Sequence, residues 1–261
     1  MDENYQIYLN RILRTTLPET HRSQLQHIQR SPKFVRGSEG SGNWTPVPFP
    51  GYTVVTPAGH EDHKNAPFYS KLATYQTKLS DCLGQDLFIP VPPSSFHLTL
   101  ADVIWDSNYT HASETPGFDA RLRDQIAQSF HNCQPFVTNQ PIRFQVLGLM
   151  VMTRSIALSL AATDEMGYFN ILNMRRAIYQ NPGLIELGIE QQYYFTPHIT
   201  LGYFGDLGAA DRDQLNAALE EMNEPWIGTA EQEFWVHEAQ VRKFSDMYNY
   251  DREADWPTFQ F

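Results

Sequence analysis

The chain has 261 residues, of which 41% are hydrophobic and 19% charged, and a formal net charge of −11. That length supports a substantial core, in one large domain or two intimately packed lobes, and the composition excludes a disordered or fibrous chain. The acidic balance argues against a binder of long nucleic acids, whose affinity comes mainly from Lys and Arg, but leaves room for a small nucleotide in a locally positive pocket.

The first residues, Met1-Asp2-Glu3-Asn4-Tyr5, lack the basic start and apolar stretch of a signal peptide. No apolar run is long enough to span a membrane, so a cytoplasmic protein without a membrane partner is expected. Residues 3–30 show helical periodicity, with Ile7, Leu9, Ile12, Leu13 and Leu17, then Leu25 and Ile28, and Pro18 breaking the run. Residues 36–50 are rich in Gly, Ser and Pro and read as a loop. Residues 1–47 are therefore expected to be a helical extension and linker, and 48–261 the main domain. The first core strand is predicted at 52–55 and a helix at 68–83, ended by Gly84. Val91-Pro92-Pro93 leads into a strand running to Ile104 or Trp105. A polar loop follows, then a helix over 119–131. Strands 142–152 and 155–162, separated only by Thr153-Arg154, predict a hairpin. A helix over 165–180 stops at Asn181-Pro182-Gly183. A strand over 193–204, a helix over 211–222, a strand over 233–244 and an irregular aromatic tail complete the chain.

Two segments share one form: Phe96-His97-Leu98-Thr99-Leu100 and Pro197-His198-Ile199-Thr200-Leu201. On a strand, side chains alternate between faces. His97 and Thr99 would share one face while the neighbouring apolar residues anchor the other, and the same holds for His198 and Thr200. Each strand follows a helix, so the order hints at two similar α+β lobes around a shared cleft. Two imidazoles and two hydroxyls around one small site suit acid/base chemistry on a phosphate. His21-Arg22-Ser23 and His111-Ala112-Ser113 have the same spacing but no alternating apolar residues, and read as exposed.

At these residues the chain resembles the two-histidine (2H) phosphoesterase superfamily, whose signature is two hydrophobic-His-x-Ser/Thr-hydrophobic strands. Pro48-Phe49-Pro50-Gly51-Tyr52-Thr53-Val54-Val55 and Pro92-Pro93-Ser94-Ser95-Phe96-His97 further resemble a bacterial 2H subgroup long catalogued as a domain of unknown function. The resemblance covers most of residues 50–245. It implies a bilobed α+β fold, with two antiparallel sheets and flanking helices around a central cleft. The main domain would then be two pseudo-symmetric lobes. It also implies a metal-independent hydrolase without cofactors, a cyclic nucleotide phosphodiesterase acting on a cyclic phosphate or a 2′-5′ linkage in a small nucleotide or RNA end. His97 and His198 would be catalytic, one as base and the other as acid, and Thr99 and Thr200 would bind phosphate. Which histidine takes which role is left open, as are the natural substrate and the oligomeric state. The alternative is a non-catalytic cyclic-nucleotide-binding module on the same fold.

Trp105 shares the parity of His97 and Thr99. Tyr203 reaches the motif face only if a bulge follows Thr200, since strict alternation would put Gly202 and Phe204 there. These two are candidate substrate-lining residues, with ordinary packing as the competing explanation. Arg143 and Arg154 are candidate phosphate anchors. His60-Glu61-Asp62-His63 lacks helical metal-ligand spacing and reads as a solvated loop. Glycines 37, 40 and 42 lack the Lys-Ser/Thr pair of a phosphate loop. Cys82 and Cys133 are too few for a disulfide framework and read as two reduced, buried thiols.

Overall fold

The computed structural model describes residues 3–37, 43–138, 140–191, 193–208, 212–226 and 233–261. Asn4 caps the first helix, α1 (Tyr5–Arg14), by accepting the Ile7 amide, and Pro18 opens α2 (Pro18–Leu25), where its missing N–H costs nothing. A short hairpin of β1 (Phe34–Arg36) and β2 (Trp44–Pro46) follows, then β3 (Gly51–Val55) and the long helix α3 (Ala66–Leu83). Gly84 ends that helix at a φ of 79°, a backbone conformation that favours glycine. Next come β4 (Phe88–Pro90), β5 (Thr99–Trp105), α4 (Asp106–Ser113), α5 (Phe118–Cys133), β6 (Ile142–Val151) and β7 (Ser155–Ala162). The chain continues with α6 (Glu165–Tyr179), α7 (Pro182–Glu186), β8 (His198–Phe204) and α8 (Arg212–Asn223). It closes with β9 (Glu233–Val236), β10 (Glu238–Phe244), β11 (Tyr250–Asp251) and β12 (Thr258–Gln260).

The fold is α+β, built on two antiparallel sheets with flanking helices. The first runs β11-β10-β3-β5, with β12 also paired to β10, and the second runs β4-β8-β7-β6-β9. His198 and Thr200 lie on β8 of the second sheet, whereas only Thr99 of the first motif is on a strand, the start of β5 in the first sheet, with His97 in the irregular stretch just before it. β7 is buried along its whole length, as expected of a strand flanked on both edges and covered on both faces. One apolar cluster runs through the molecule, from Tyr8, Ile12 and Leu25 of the N-terminal helices to Leu158 and Ile199 of the second sheet and Val54 and Leu100 of the first.

Several expectations need correction. The Gly/Ser/Pro-rich stretch is not all loop, because β2 lies within it and pairs with β1 at its start; Gly40 and Gly42 lie outside the described residues. The polar segment after Trp105 is the helix α4. Residues 233–244 are two strands, since the chain leaves the second sheet after Val236 and enters the first at Glu238. The aromatic tail pairs with β10 through β11 and β12. His21 is buried, its Nε2 2.9 Å from the Leu149 carbonyl, while His111 is exposed. Cys82 is exposed and Cys133 buried. Among the described residues no helix is long and apolar enough to cross a membrane.

Candidate active site

The apolar residues of each motif set the direction of its polar ones. Phe96, Leu98 and Leu100 are buried on one side, and Ile199 and Leu201 on the other. That anchoring turns His97, Thr99, His198 and Thr200 into one cavity of about 730 Å³. The cavity is of the size of small-ligand sites, which run roughly 300–1,000 Å³.

Both imidazoles are tethered in the same way. Nδ1 of His97 lies 2.7 Å from the Ser95 carbonyl, and Nδ1 of His198 lies 2.8 Å from the Thr196 carbonyl. A carbonyl can only accept, so each Nδ1 carries a proton and donates it. Nε2 of each ring is left to exchange a proton with a ligand. Among the described residues neither Thr99 nor Thr200 spends its hydroxyl on a protein partner, so both can donate to a bound oxyanion.

The two histidines differ in their surroundings. Burial lowers the His97 pKa to about 4; the Ser95 carbonyl resists, and the charges of Arg242 and His198 push further down. Burial lowers His198 too, but there the Thr196 carbonyl and the Asp102 carboxylate both pull the other way. The Asp102 carboxylate thus favours the protonated form of His198, while the Arg242 charge disfavours that of His97.

Arg242 is 1% exposed. Its guanidinium donates to Gln240 Oε1, to the Tyr250 carbonyl at 3.0 Å and to the Glu61 carboxylate. The Tyr250 ring packs on His97, with centroids 4.5 Å apart. Glu61 belongs to the His60-Glu61-Asp62-His63 segment, which is thus not simply a solvated loop. His60 reaches the Ser94 carbonyl and lies 3.2 Å from Glu61, and Asp62 accepts from Asn65; among the described residues no three such groups come together to hold a metal.

Bulges decide which further residues face the cavity. The pairing of β3 with β5 skips a residue twice, matching Thr53 to Asp102 directly after Tyr52 to Ile104, and Val55 to Thr99 directly after Val54 to Ala101. Thr99, Asp102 and Trp105 are half-buried, and the residues between them are buried, a spacing of three rather than two. Trp105 lines the cavity as its parity predicts, because two skips cancel. Asp102 lines it as well and was missed, since strict alternation from His97 assigns it to the core. On β8 a single skip falls between Thr200 and Gly202, and it brings Tyr203 to the cavity.

Lys33 and Arg154 also line the cavity, whereas Arg143 is turned to Glu233. Lys33 was missed because it lies in the segment set apart as extension and linker. Asp102 is held from behind by a buried group. Tyr193 Oη donates to its carboxylate, Tyr179 Oη donates to its carbonyl at 3.0 Å, and Arg175 donates to the carbonyls of Leu100 and Tyr193 at 2.6 and 3.0 Å.

No curated protein matches the chain. Among solved structures, a conserved protein of unknown function from Agrobacterium tumefaciens strain C58 is similar at a TM-score of 0.55 and 18% identity, over 87% of this chain and 93% of that one. LigT from Escherichia coli, solved with 3′-AMP, is similar at a TM-score of 0.42 and 13% identity, over 80% and 92%. Residues 41–155, which carry the first His-x-Thr strand, match the family model described as "2H-phosphodiest: Domain of unknown function (DUF1868)", and over that segment the chain is similar to the two-histidine phosphodiesterases.

Proposed function

We propose that the protein is a two-histidine phosphodiesterase that hydrolyses a cyclic phosphate or a 2′-5′ phosphodiester in a small nucleotide or an RNA end. The observation that carries this reading is the meeting in one cavity of two His-Thr pairs, each imidazole tethered through Nδ1 to the carbonyl two residues before it.

The roles follow from the electrostatic difference between the two rings. His97, held neutral, takes a proton from water on Nε2. The hydroxide so formed attacks phosphorus, and the bond to the leaving sugar oxygen breaks on the opposite side. His198, favoured as the protonated member, gives its Nε2 proton to that oxygen. One proton is taken and one given, and the pair resets by exchange with solvent. Thr99 and Thr200 hydroxyls donate to the non-bridging oxygens, whose charge must be stabilised as the reaction proceeds. The chemistry assigned to these side chains needs no metal ion, so turnover is expected to survive EDTA.

The test is turnover of 2′,3′-cyclic nucleotides, 3′,5′-cyclic nucleotides and 2′-5′ oligoadenylates in EDTA, with His97→Ala and His198→Ala as controls. Each variant should lose on the order of 10²–10⁴-fold. Retained activity in either removes that histidine from the mechanism. Tight binding of an unchanged cyclic nucleotide would instead identify a non-catalytic binding module.

A further inference from the structure

Several cations of this acidic protein are paired with carboxylates. Arg36 pairs with Asp86 and Asp206, Arg143 with Glu233, Arg242 with Glu61, and Lys243 with Asp119. Lys33 and Arg154 line the cavity and, among the described residues, have no carboxylate within ion-pair reach. Arg154 donates to Gln29 Oε1 at 3.1 Å and is otherwise exposed.

Lys33 is held in place by groups that leave its charge unanswered. Its ammonium lies 4.2 Å from the centre of the Phe49 ring and 5.6 Å from that of Tyr203. Among the described residues its hydrogen-bond partner is a thioether, Met247 Sδ at 3.2 Å, which is a weak acceptor. Two of its three donors are left for a ligand. Burial lowers its pKa to about 8, Asp102 opposes that, and the Arg154 charge adds to it. An arriving anion would reverse the burial effect and keep the ammonium charged.

The position of Lys33 relative to the motifs is informative. It packs on Tyr203, three residues beyond Thr200 along β8, a separation of at most roughly 10 Å along the strand and less across the bulge. A nucleoside carrying phosphates at both ends of its sugar could place one at the histidines and the other beside Lys33 in this shared cavity.

We propose that Lys33 and Arg154 form a second anion subsite, so that the preferred substrate is a nucleotide cyclic phosphate carrying a further phosphate on the same nucleoside. The inference rests on the cavity being the phosphodiester site. It names the substrate class of that site and gives the segment before β1 a part in recognition.

The experiment compares adenosine 2′,3′-cyclic phosphate with and without a 5′-phosphate. The protein should favour the 5′-phosphorylated form in kcat/KM. Lys33→Met, which keeps an apolar stem against Phe49 and Tyr203, should cut the ratio of the two kcat/KM values by on the order of 10–100-fold, the worth of a charge-assisted hydrogen bond. Lys33→Arg should keep most of the ratio. Equal losses on both substrates, or no preference in the parent protein, overturn the proposal. Calorimetric binding of adenosine 3′,5′-bisphosphate separates it from the hydrolytic reading. Weaker binding in Lys33→Met without any turnover supports the subsite while the enzyme assignment fails. Unchanged binding sinks the subsite whatever the chemistry.

Discussion

Asp102 and Arg242 stand on opposite sides of an argument about protons. The carboxylate raises the pKa of His198 and the guanidinium lowers that of His97, while burial lowers both. The base must be neutral, which holds above about 4. The acid must be protonated, which requires a pH below its own pKa, itself under 6.5. The pH profile of kcat/KM should therefore peak on the acidic side of neutrality and fall as pH rises through the lowered His198 pKa, already below 6.5. A plateau extending to pH 8 would contradict the assignment. Asp102→Asn keeps the shape and removes the charge, so the alkaline limb should move to still lower pH. A limb that stays put would show that Asp102 does not act on His198. Tyr193→Phe deletes the hydroxyl that donates to Asp102, and should cost about 1–3 kcal/mol in a thermal melt by leaving a half-buried acceptor unpaired. The motif residues were legible from composition and parity alone. Asp102, Lys33 and the tyrosines behind them were not, because nothing local marks a carboxylate or an ammonium as facing a cavity until the pairing of strands is known.

Along the elements, departures from regularity carry the information. Periodicity located α1, α3, α5, α6, α8 and most of the strands, since each has a face with one destination. It failed where two destinations follow each other without a break in pattern, as at His237, where the chain passes between sheets. It failed again at bulges, which change parity without a sequence signal strong enough to read in advance. Gly202 is where such a bulge becomes testable. A Cβ there would lie 2.5 Å from the Ile89 carbonyl and from the Phe88 ring, so β4 sits directly on it. Gly202→Ala should destabilise by about 1–3 kcal/mol, lowering Tm by roughly 2–4 °C for each kcal/mol, and should raise KM by moving Tyr203. A variant as stable as the parent would mean that β4 does not close over this position.

On the scale of the whole molecule, the N-terminal helices share the core of the second sheet. The Tyr8 ring stacks on Tyr168 at 4.2 Å between centroids, and its hydroxyl accepts the Ala162 amide at 3.0 Å. Arg11 holds the Phe195 carbonyl at 2.7 Å and Thr196 Oγ1 at 2.9 Å, directly before His198. Tyr8→Ala is expected to cost about 3–5 kcal/mol, and the parent protein to unfold in one transition seen alike by far-UV and near-UV circular dichroism. A separate early transition would show that the segment folds on its own.

The passage at His237 also sets an order of events during synthesis. β3 and β5 are made before most of the second sheet, yet their own sheet lacks β10, β11 and β12 until after Val236. The second sheet has all five of its strands once Val236 has been made. The sheet begun first is thus completed after the second, and the nascent chain holds an open strand edge at β3 in the interval. Tyr250, which packs on His97, is made only after the second sheet has its strands, so the cavity gains that wall after the sheet beside it is complete.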